Sequence, residues 1–301
     1  MTGHSDLYGS ETTAAEVLAG QSLQGRTIVL TGGSEGVGAA CARALADAGA
    51  VVLSLARSHS TGDVERRASG GEVRKIRCDL ASFASVAHAA TAIREQAPVL
   101  HSLVCNAGVY FLPELAVVRG VERHFAVNQL GHFELVGMLL PQVLRNDGGR
   151  IVVVASEAHR RVKHLDSGEL PVPRDYDPVR AYSVSKLANL AFSFSLARRL
   201  HGRASVTAVS PMWVATRSMR DHLARVGSSY DPTEAKTPEQ GASVICLAAA
   251  SPDYEGVSGV YLENCRPAEV SEFARDKDVQ EKLWRLSEQY CDPALAFPAE
   301  Q

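Results

Sequence analysis

The chain has 301 residues, 46% hydrophobic and 22% charged, a balance that supports a sizeable packed core and excludes disordered, collagen-like and purely solenoid chains. Its formal net charge of −3 gives no electrostatic pull toward nucleic acid or an anionic lipid surface, so neither is expected as a partner. Six cysteines, at 41, 78, 105, 246, 265 and 291, lack CxxC or Cys/His metal spacing and mostly fall in apolar segments, which points to reduced core thiols and no metal site.

Residues 1–24 read as an amino-terminal extension, with a short helix expected over 12–18. Its opening, MTGHSDLYGSETTAAEV, has neither the basic region nor the apolar stretch of a signal peptide. No later segment supplies 18 uninterrupted apolar residues, so no membrane span is expected and the location is read as cytoplasmic. From residue 25 to 301 the pattern is that of one catalytic domain. Strands are expected over 26–31, 51–55, 73–77, 100–105, 150–155, 205–210 and 259–262, and helices over 36–48, 82–96, 120–145, 180–201 and 237–250. Nearly continuous apolar runs such as IVVVA imply strands covered on both faces. The fold class predicted is therefore α/β, a doubly wound Rossmann fold with a seven-stranded, mainly parallel sheet and helices on both faces. Residues 157–179 read as a polar surface excursion. Residues 212–236 mix apolar and charged positions, as a cover over a substrate site would.

The strongest local signal is Thr31-Gly32-Gly33-Ser34-Glu35-Gly36-Val37-Gly38, directly after the first strand and opening a helix. Glycines there allow a tight turn and close approach to a pyrophosphate at the positive end of the helix dipole, although such a run alone also serves as a plain connection. In dinucleotide sites an acid about 20 residues beyond the last glycine holds the ribose 2′-hydroxyl. Here Ala56 stands at that place with Arg57 beside it. An arginine fork suits a 2′-phosphate, which an acid would repel, so NADP(H) is expected over NAD(H). The alternative is a solvated arginine at a strand end. After the third strand comes Cys78-Asp79-Leu80, where Asp79 either accepts from the adenine amino group or caps the helix beginning near Ser82. Asn106-Ala107-Gly108 follows the fourth strand, small enough for close cofactor approach or simply a turn.

Tyr182-Ser183-Val184-Ser185-Lys186 opens a helical stretch in which Tyr182 and Lys186 share one face. A phenol with a pKa of about 10 is a poor proton-transfer group near neutrality, and a neighbouring lysine charge would stabilise its phenolate. An isolated YxxxK is more often a surface pair.

Taken together, TGGSEGVG, CDL, NAG, Asn128, Ser156 and YSVSK occur in an order that resembles the short-chain dehydrogenase/reductase family, spanning most of residues 26–216. Within that family the chain is similar to the retinol dehydrogenase and WW-domain oxidoreductase branch, through VNQLGHFELV at 127–136, ASEAHR at 155–160, YLENC at 261–265 and LWRLSEQ at 283–289. It carries no recognisable WW domain or membrane-anchoring segment. The resemblance implies that Tyr182 is the general acid in carbonyl reduction and the base in the reverse reaction. By the same resemblance Lys186 holds the nicotinamide ribose and lowers the tyrosine pKa, Ser156 holds the substrate oxygen, and Asn128 positions a water linked to Lys186. Otherwise Ser156 is a strand-end cap and Asn128 a buried amide.

The chain departs from the family at Pro211-Met212, where Pro-Gly is usual. Methionine is disfavoured at positive φ, so a rerouted loop is expected, with Val214 and Thr216 inheriting contact to the nicotinamide carboxamide. Met212 and Trp213 either wall the substrate site or pack in the core. The basic run His159, Arg160, Arg161, Lys163, His164 is expected to be a solvated loop, with substrate or partner recognition as the alternative.

The function expected is NADP(H)-dependent reduction of a ketone or aldehyde, or oxidation of the matching alcohol, on a medium-sized apolar small molecule. A dinucleotide-binding sensor or interaction protein, and a recruited non-redox cyclase or isomerase, are the alternatives. Oligomeric state stays open, a homodimer included.

Overall fold

The computed structural model describes residues 7–165, 170–225, 234–295 and 297–300. Runs of Val, Ile and Leu form most of the strands: β1 (Thr27–Thr31), β2 (Val51–Ala56), β3 (Val64–Arg66), β4 (Glu72–Arg77), β5 (Ser102–Cys105), β6 (Val117–Val118), β7 (Val121–Glu122), β8 (Arg150–Val154), β9 (Ser205–Ser210), β10 (Val260–Glu263) and β11 (Arg266–Pro267). The main sheet has the order β11-β10-β9-β8-β5-β1-β2-β4-β3, while β6 and β7 pair only with each other. All seven predicted strands are present and pair in parallel, but the sheet has nine strands. The two additions, β3 and β11, are short antiparallel edge strands. Every residue of both is exposed, so neither leaves an apolar run to read.

Between these strands lie α1 (Ala14–Val17), α2 (Gly36–Asp47), α3 (Phe83–Gln96), α4 (Gly131–Val143), α5 (Pro178–Leu200), α6 (Arg217–Arg225), α7 (Pro238–Ala250), α8 (Glu272–Arg275) and α9 (Lys277–Gln289). The period of two along each strand divides the core between two faces. Val29, Leu103, Ile151 and Val153 pack with Val86 of α3, Phe133 of α4, Phe192 of α5 and Trp284 of α9. Ile28, Leu30, Val104, Val152 and Val154 pack on the other face with Val17 of α1, Cys41 and Leu45 of α2, and Ile245 of α7. The short amino-terminal helix is as predicted, closed by a Thr13–Glu16 capping box.

Two predictions need correction. The helix expected over 120–145 opens with β7 and a wide π-helical turn, Phe125–Leu130, before α4 begins. Residues 157–161 form a 3₁₀ turn in which His159 is fully buried, and Arg160 pairs with Glu263 at 2.6 Å, so the basic run is partly structural. Of the cover expected over 212–236, residues 226–233 lie outside those described, as do 166–169 of the surface excursion. What is described of the cover includes α6. All six cysteines are free thiols. Among the described residues no helix is long and apolar enough to cross a membrane.

Strand order reverses between β1 and β5: the chain runs from β1 outward through β2 and β4, then returns to β5 on the other side. In open α/β sheets that reversal leaves a crevice at the carboxyl ends of the strands.

Candidate active site and dinucleotide cleft

A cleft of about 680 Å³ occupies this position. Its walls include Gly32, Ser34, Glu35, Gly36, Val37 and Gly38 after β1, and Arg57 after β2. Asp79 and Leu80 after β4, Asn106, Ala107 and Gly108 after β5, and Ser156 after β8 line it too. Tyr182 and Lys186 come from α5, and Pro211, Met212, Val214 and Thr216 follow β9. Residues scattered from 32 to 216 in the sequence thus meet because each follows a parallel strand or opens a helix at the same edge.

The glycine turn is built for close approach. Gly32 has φ +76, and a Cβ there would lie 2.8 Å from the Ala107 Cα. At Gly38 it would lie 2.1 Å from the Gly32 carbonyl oxygen. Gly33 lies against Ser54, where a Cβ would come 2.1 Å from the hydroxyl. Glu35 is the N-cap residue of α2 and makes no side-chain cap bond, which leaves the first amides of that helix for a ligand. Thr31 works from beneath: its hydroxyl accepts the Asn106 and Ala107 amides at 2.9 and 3.0 Å and meets His132 Nε2 at 2.8 Å. Burial pushes the His132 imidazole down to about 4, so it is neutral, and its Nδ1–H donates to the Asn128 carbonyl at 2.9 Å. His132 therefore couples the strand exits to the π turn, a role that no spacing rule in the sequence signals.

Asp79 does not cap α3. Ser82 does, accepting the Ser85 amide, while one Asp79 oxygen accepts the Ala81 amide at 3.0 Å. Arg57 is exposed at the rim, and among the described residues it has no ion-pair partner. Thr216 sits against the glycine turn: a Cβ on Gly36 would lie 3.2 Å from its Cγ2. Its hydroxyl accepts the Met219 amide, which helps start α6.

Met212 does adopt the left-handed conformation, with φ +63, so the loop keeps the turn that glycine makes and carries strain. The Met212 amide is tied to Ser210 Oγ at 3.1 Å, which holds the turn in place. A left-handed non-glycine residue costs about 1–2 kcal/mol. Met212→Gly is therefore expected to stabilise the protein by about 1 kcal/mol, after allowing for the extra chain entropy of glycine. Calorimetric unfolding checks this, and a fall in stability would mean that the methionine side chain contributes more packing than the backbone strain costs.

Around the catalytic candidates, Tyr182 is largely buried, and the neighbouring Ser156 hydroxyl favours its phenolate. Burial still dominates and holds the Tyr182 pKa up at about 12. Lys186 Nζ donates to the Val154 carbonyl at 2.7 Å and lies 5.8 Å from the tyrosine ring centroid. Burial brings the lysine down to about 7. The expected lowering of the phenol pKa by the lysine is not found: Ser156 is what opposes the rise at Tyr182, and burial sets the direction at both groups because it penalises both charged forms. Ser156 also caps the 3₁₀ turn, accepting the Ala158 amide at 3.2 Å, while it lines the cleft. Asn128 is fully engaged. Its Oδ1 accepts the Val109 amide at 2.8 Å, and its Nδ2 donates to Ser185 Oγ at 3.0 Å, which in turn donates to the Tyr182 carbonyl at 2.7 Å. Its backbone carbonyl accepts from the Asn189 side-chain Nδ2 at 2.8 Å besides His132. This is the buried-amide arrangement, and it anchors the helix beneath Tyr182.

An aromatic wall, absent from the sequence reading, closes over Tyr182. Tyr110 and Phe111 each approach it edge-on at 4.9 Å between centroids, and His222 of α6 lies 4.5 Å from Phe111. Phe111 has φ +40, held by Arg225 on its carbonyl and by His124, which accepts the Leu112 amide and pairs with buried Glu122 at 2.7 Å. Met219 of α6 touches the Tyr110 hydroxyl at 3.6 Å.

A family model described as short chain dehydrogenase matches residues 26–226. The WW domain-containing oxidoreductase of Homo sapiens is 35% identical over 312 aligned residues, covering 96% of this chain and 73% of that protein. Retinol dehydrogenase 14 of Mus musculus is 33% identical, covering 88% of this chain and 86% of its own. Among solved structures, an uncharacterised protein from Mycobacterium paratuberculosis superposes with a TM-score of 0.73 at 30% identity, covering 96% of this chain and 100% of that one. The RhlG/NADP active-site complex of Pseudomonas aeruginosa superposes with a TM-score of 0.61 at 25% identity, covering 80% and 95%.

Proposed function

Because the chain belongs to the short-chain dehydrogenase/reductase family of oxidoreductases, we propose that it is an NADP(H)-dependent reductase of a ketone or aldehyde on a medium-sized, apolar molecule. The observation that carries this reading is the meeting of Tyr182, Ser156 and Lys186 with the glycine turn in one cleft. The glycine cradle, the uncapped start of α2 and the exposed cation at Arg57 fit a dinucleotide with a 2′-phosphate. When bound, its nicotinamide ring supplies the hydride. Within this reading the protein supplies the proton: Tyr182 donates it to the developing alkoxide oxygen, and Ser156 holds that oxygen. Lys186, fixed at the exit of β8, offers the ribose a donor. Tyr110, Phe111, Met219 and His222 exclude water around the phenol and favour a flat, uncharged substrate face. A cytoplasmic location remains part of the proposal.

Incubation with NADPH and a panel of bulky ketones tests it. Stoichiometric NADPH oxidation is expected, whereas turnover without net oxidation would favour a recruited non-redox activity. Cofactor preference has its own check. Arg57→Met is expected to weaken NADPH binding by about tenfold and leave NADH unchanged, since it removes one charge-assisted contact to the 2′-phosphate. Equal losses for both cofactors in calorimetric titrations would remove Arg57 from the 2′-phosphate.

A further inference from the structure

We infer that Arg123 binds the adenosine diphosphate half of the dinucleotide, an assignment that rests on the dinucleotide reading above. Arg123 is half-buried and lines the cleft together with Val127, Leu80 and Ala81. Its Nε is sealed from solvent without a hydrogen-bond partner, and among the described residues the guanidinium has neither an acceptor nor a carboxylate. A guanidinium cannot shed its charge, so a buried face without an acceptor is costly unless a ligand supplies one.

The fold says which end of the cleft this cation serves. Arg123 opens the helical run that continues through the π turn into α4, and Val127 and Gly131 follow at four-residue intervals, on roughly one face. That face presses on the exit of β4: a Cβ on Gly131 would lie 2.5 Å from the Leu80 carbonyl oxygen. In the sheet, β4 is four strand positions from β8, which carries Ser156 at its exit. At about 4.8 Å per strand, the two exits are separated by about 19 Å. Substrate oxygen and nicotinamide belong at the Ser156 end, so the ligand group near Leu80 is the far half of an extended dinucleotide. A planar cation there can stack on adenine or take a phosphate oxygen. Arg57, at the exit of neighbouring β2, serves only the 2′-phosphate, whereas Arg123 meets what NADH and NADPH share.

The test is calorimetric titration of the full chain with ADP-ribose, NADH and NADPH. Arg123→Met is expected to raise all three dissociation constants by about tenfold. The thermal midpoint of the ligand-free protein should stay level or rise, because the substitution removes a buried donor that no group among the described residues satisfies. Arg123→Lys, which keeps the charge without the fork, should fall between the two, and it decides the matter if the methionine variant does not fold. An unchanged affinity for ADP-ribose overturns the assignment, including the case in which only the KM of an acidic substrate rises, which would put Arg123 on the substrate side. A ligand-free midpoint that falls alongside affinity also overturns it, as the signature of a packing role. Wild-type protein that binds none of the three ligands would instead remove the dinucleotide reading itself, and this assignment with it.

Discussion

Tyr182→Phe is expected to lower kcat for carbonyl reduction by about a thousandfold, within the usual range for loss of a positioned acid, while NADPH affinity changes by less than about twofold. The substitution removes one oxygen. The ring stays in its edge-on contacts with Tyr110 and Phe111, and Ser185 keeps its bond to the residue 182 carbonyl, so the helix and the aromatic wall persist. Ser156 is half-exposed, so its hydroxyl can be solvated once the phenol oxygen is gone. Stopped-flow measurement of hydride transfer, with a parallel NADPH titration, separates chemistry from binding. Retained turnover would move the proton donor elsewhere, and the groups within reach would have to be Ser156 or water.

The same geometry sets a pH dependence. With its pKa held up at about 12, the Tyr182 phenol is protonated throughout the neutral range and poised as an acid, so reduction requires no prior protonation of that group. Lys186, brought down to about 7, is an ammonium below that pH and a neutral amine above it. The ammonium is the form that helps hold an anionic cofactor and a developing alkoxide. Reductive kcat/KM, which reports the free protein, should therefore fall as pH rises through about 7. The reverse reaction needs the phenolate and should gain with pH instead.

What could be read from residue order and what could not divides along physical lines. The seven parallel strands were legible because burial on both faces demands unbroken apolar runs, as in IVVVA of β8. Edge strands β3 and β11 carry no such demand and left no trace. Helix α9 was missed although Val279, Leu283 and Trp284 have helical spacing, because its exposed face is densely charged. The glycine turn, Ser156, Tyr182 and Lys186 were legible since each belongs to a local motif. His132, Arg123 and the Tyr110–Phe111 wall depend on contacts between distant segments, and a single sequence contains no signal for those. Met212 shows the limit of a propensity argument: the preference against positive φ is about 1–2 kcal/mol, and surrounding structure overrides it.

Gly38→Ala, a change of one methyl group, is expected to destabilise the fold by about 1–3 kcal/mol and to weaken dinucleotide binding by about a hundredfold or more. The added carbon would lie 2.1 Å from the Gly32 carbonyl oxygen, 2.6 Å from Asn106 Nδ2 and 2.8 Å from the Gly32 carbonyl carbon. Two of those three atoms are backbone, so no side-chain rotation relieves the clash, and α2 must shift away from β1. Asn106 Nδ2 also donates to the Thr31 carbonyl at 2.9 Å, so the displacement spreads from the glycine turn to the segment after β5. The first amides of α2 and the Asn106–Gly108 backbone would then no longer converge on one pyrophosphate-sized space. Gly148→Ala is the matching control: its added carbon would meet nothing nearer than Glu255 Oε1 at 3.6 Å, an ordinary contact, and its backbone has no positive φ. Thermal unfolding and NADPH titration of both variants should show a large double loss at Gly38 and none at Gly148. Unimpaired binding in Gly38→Ala would mean that the ligand does not rest on this turn, whatever else the cleft holds.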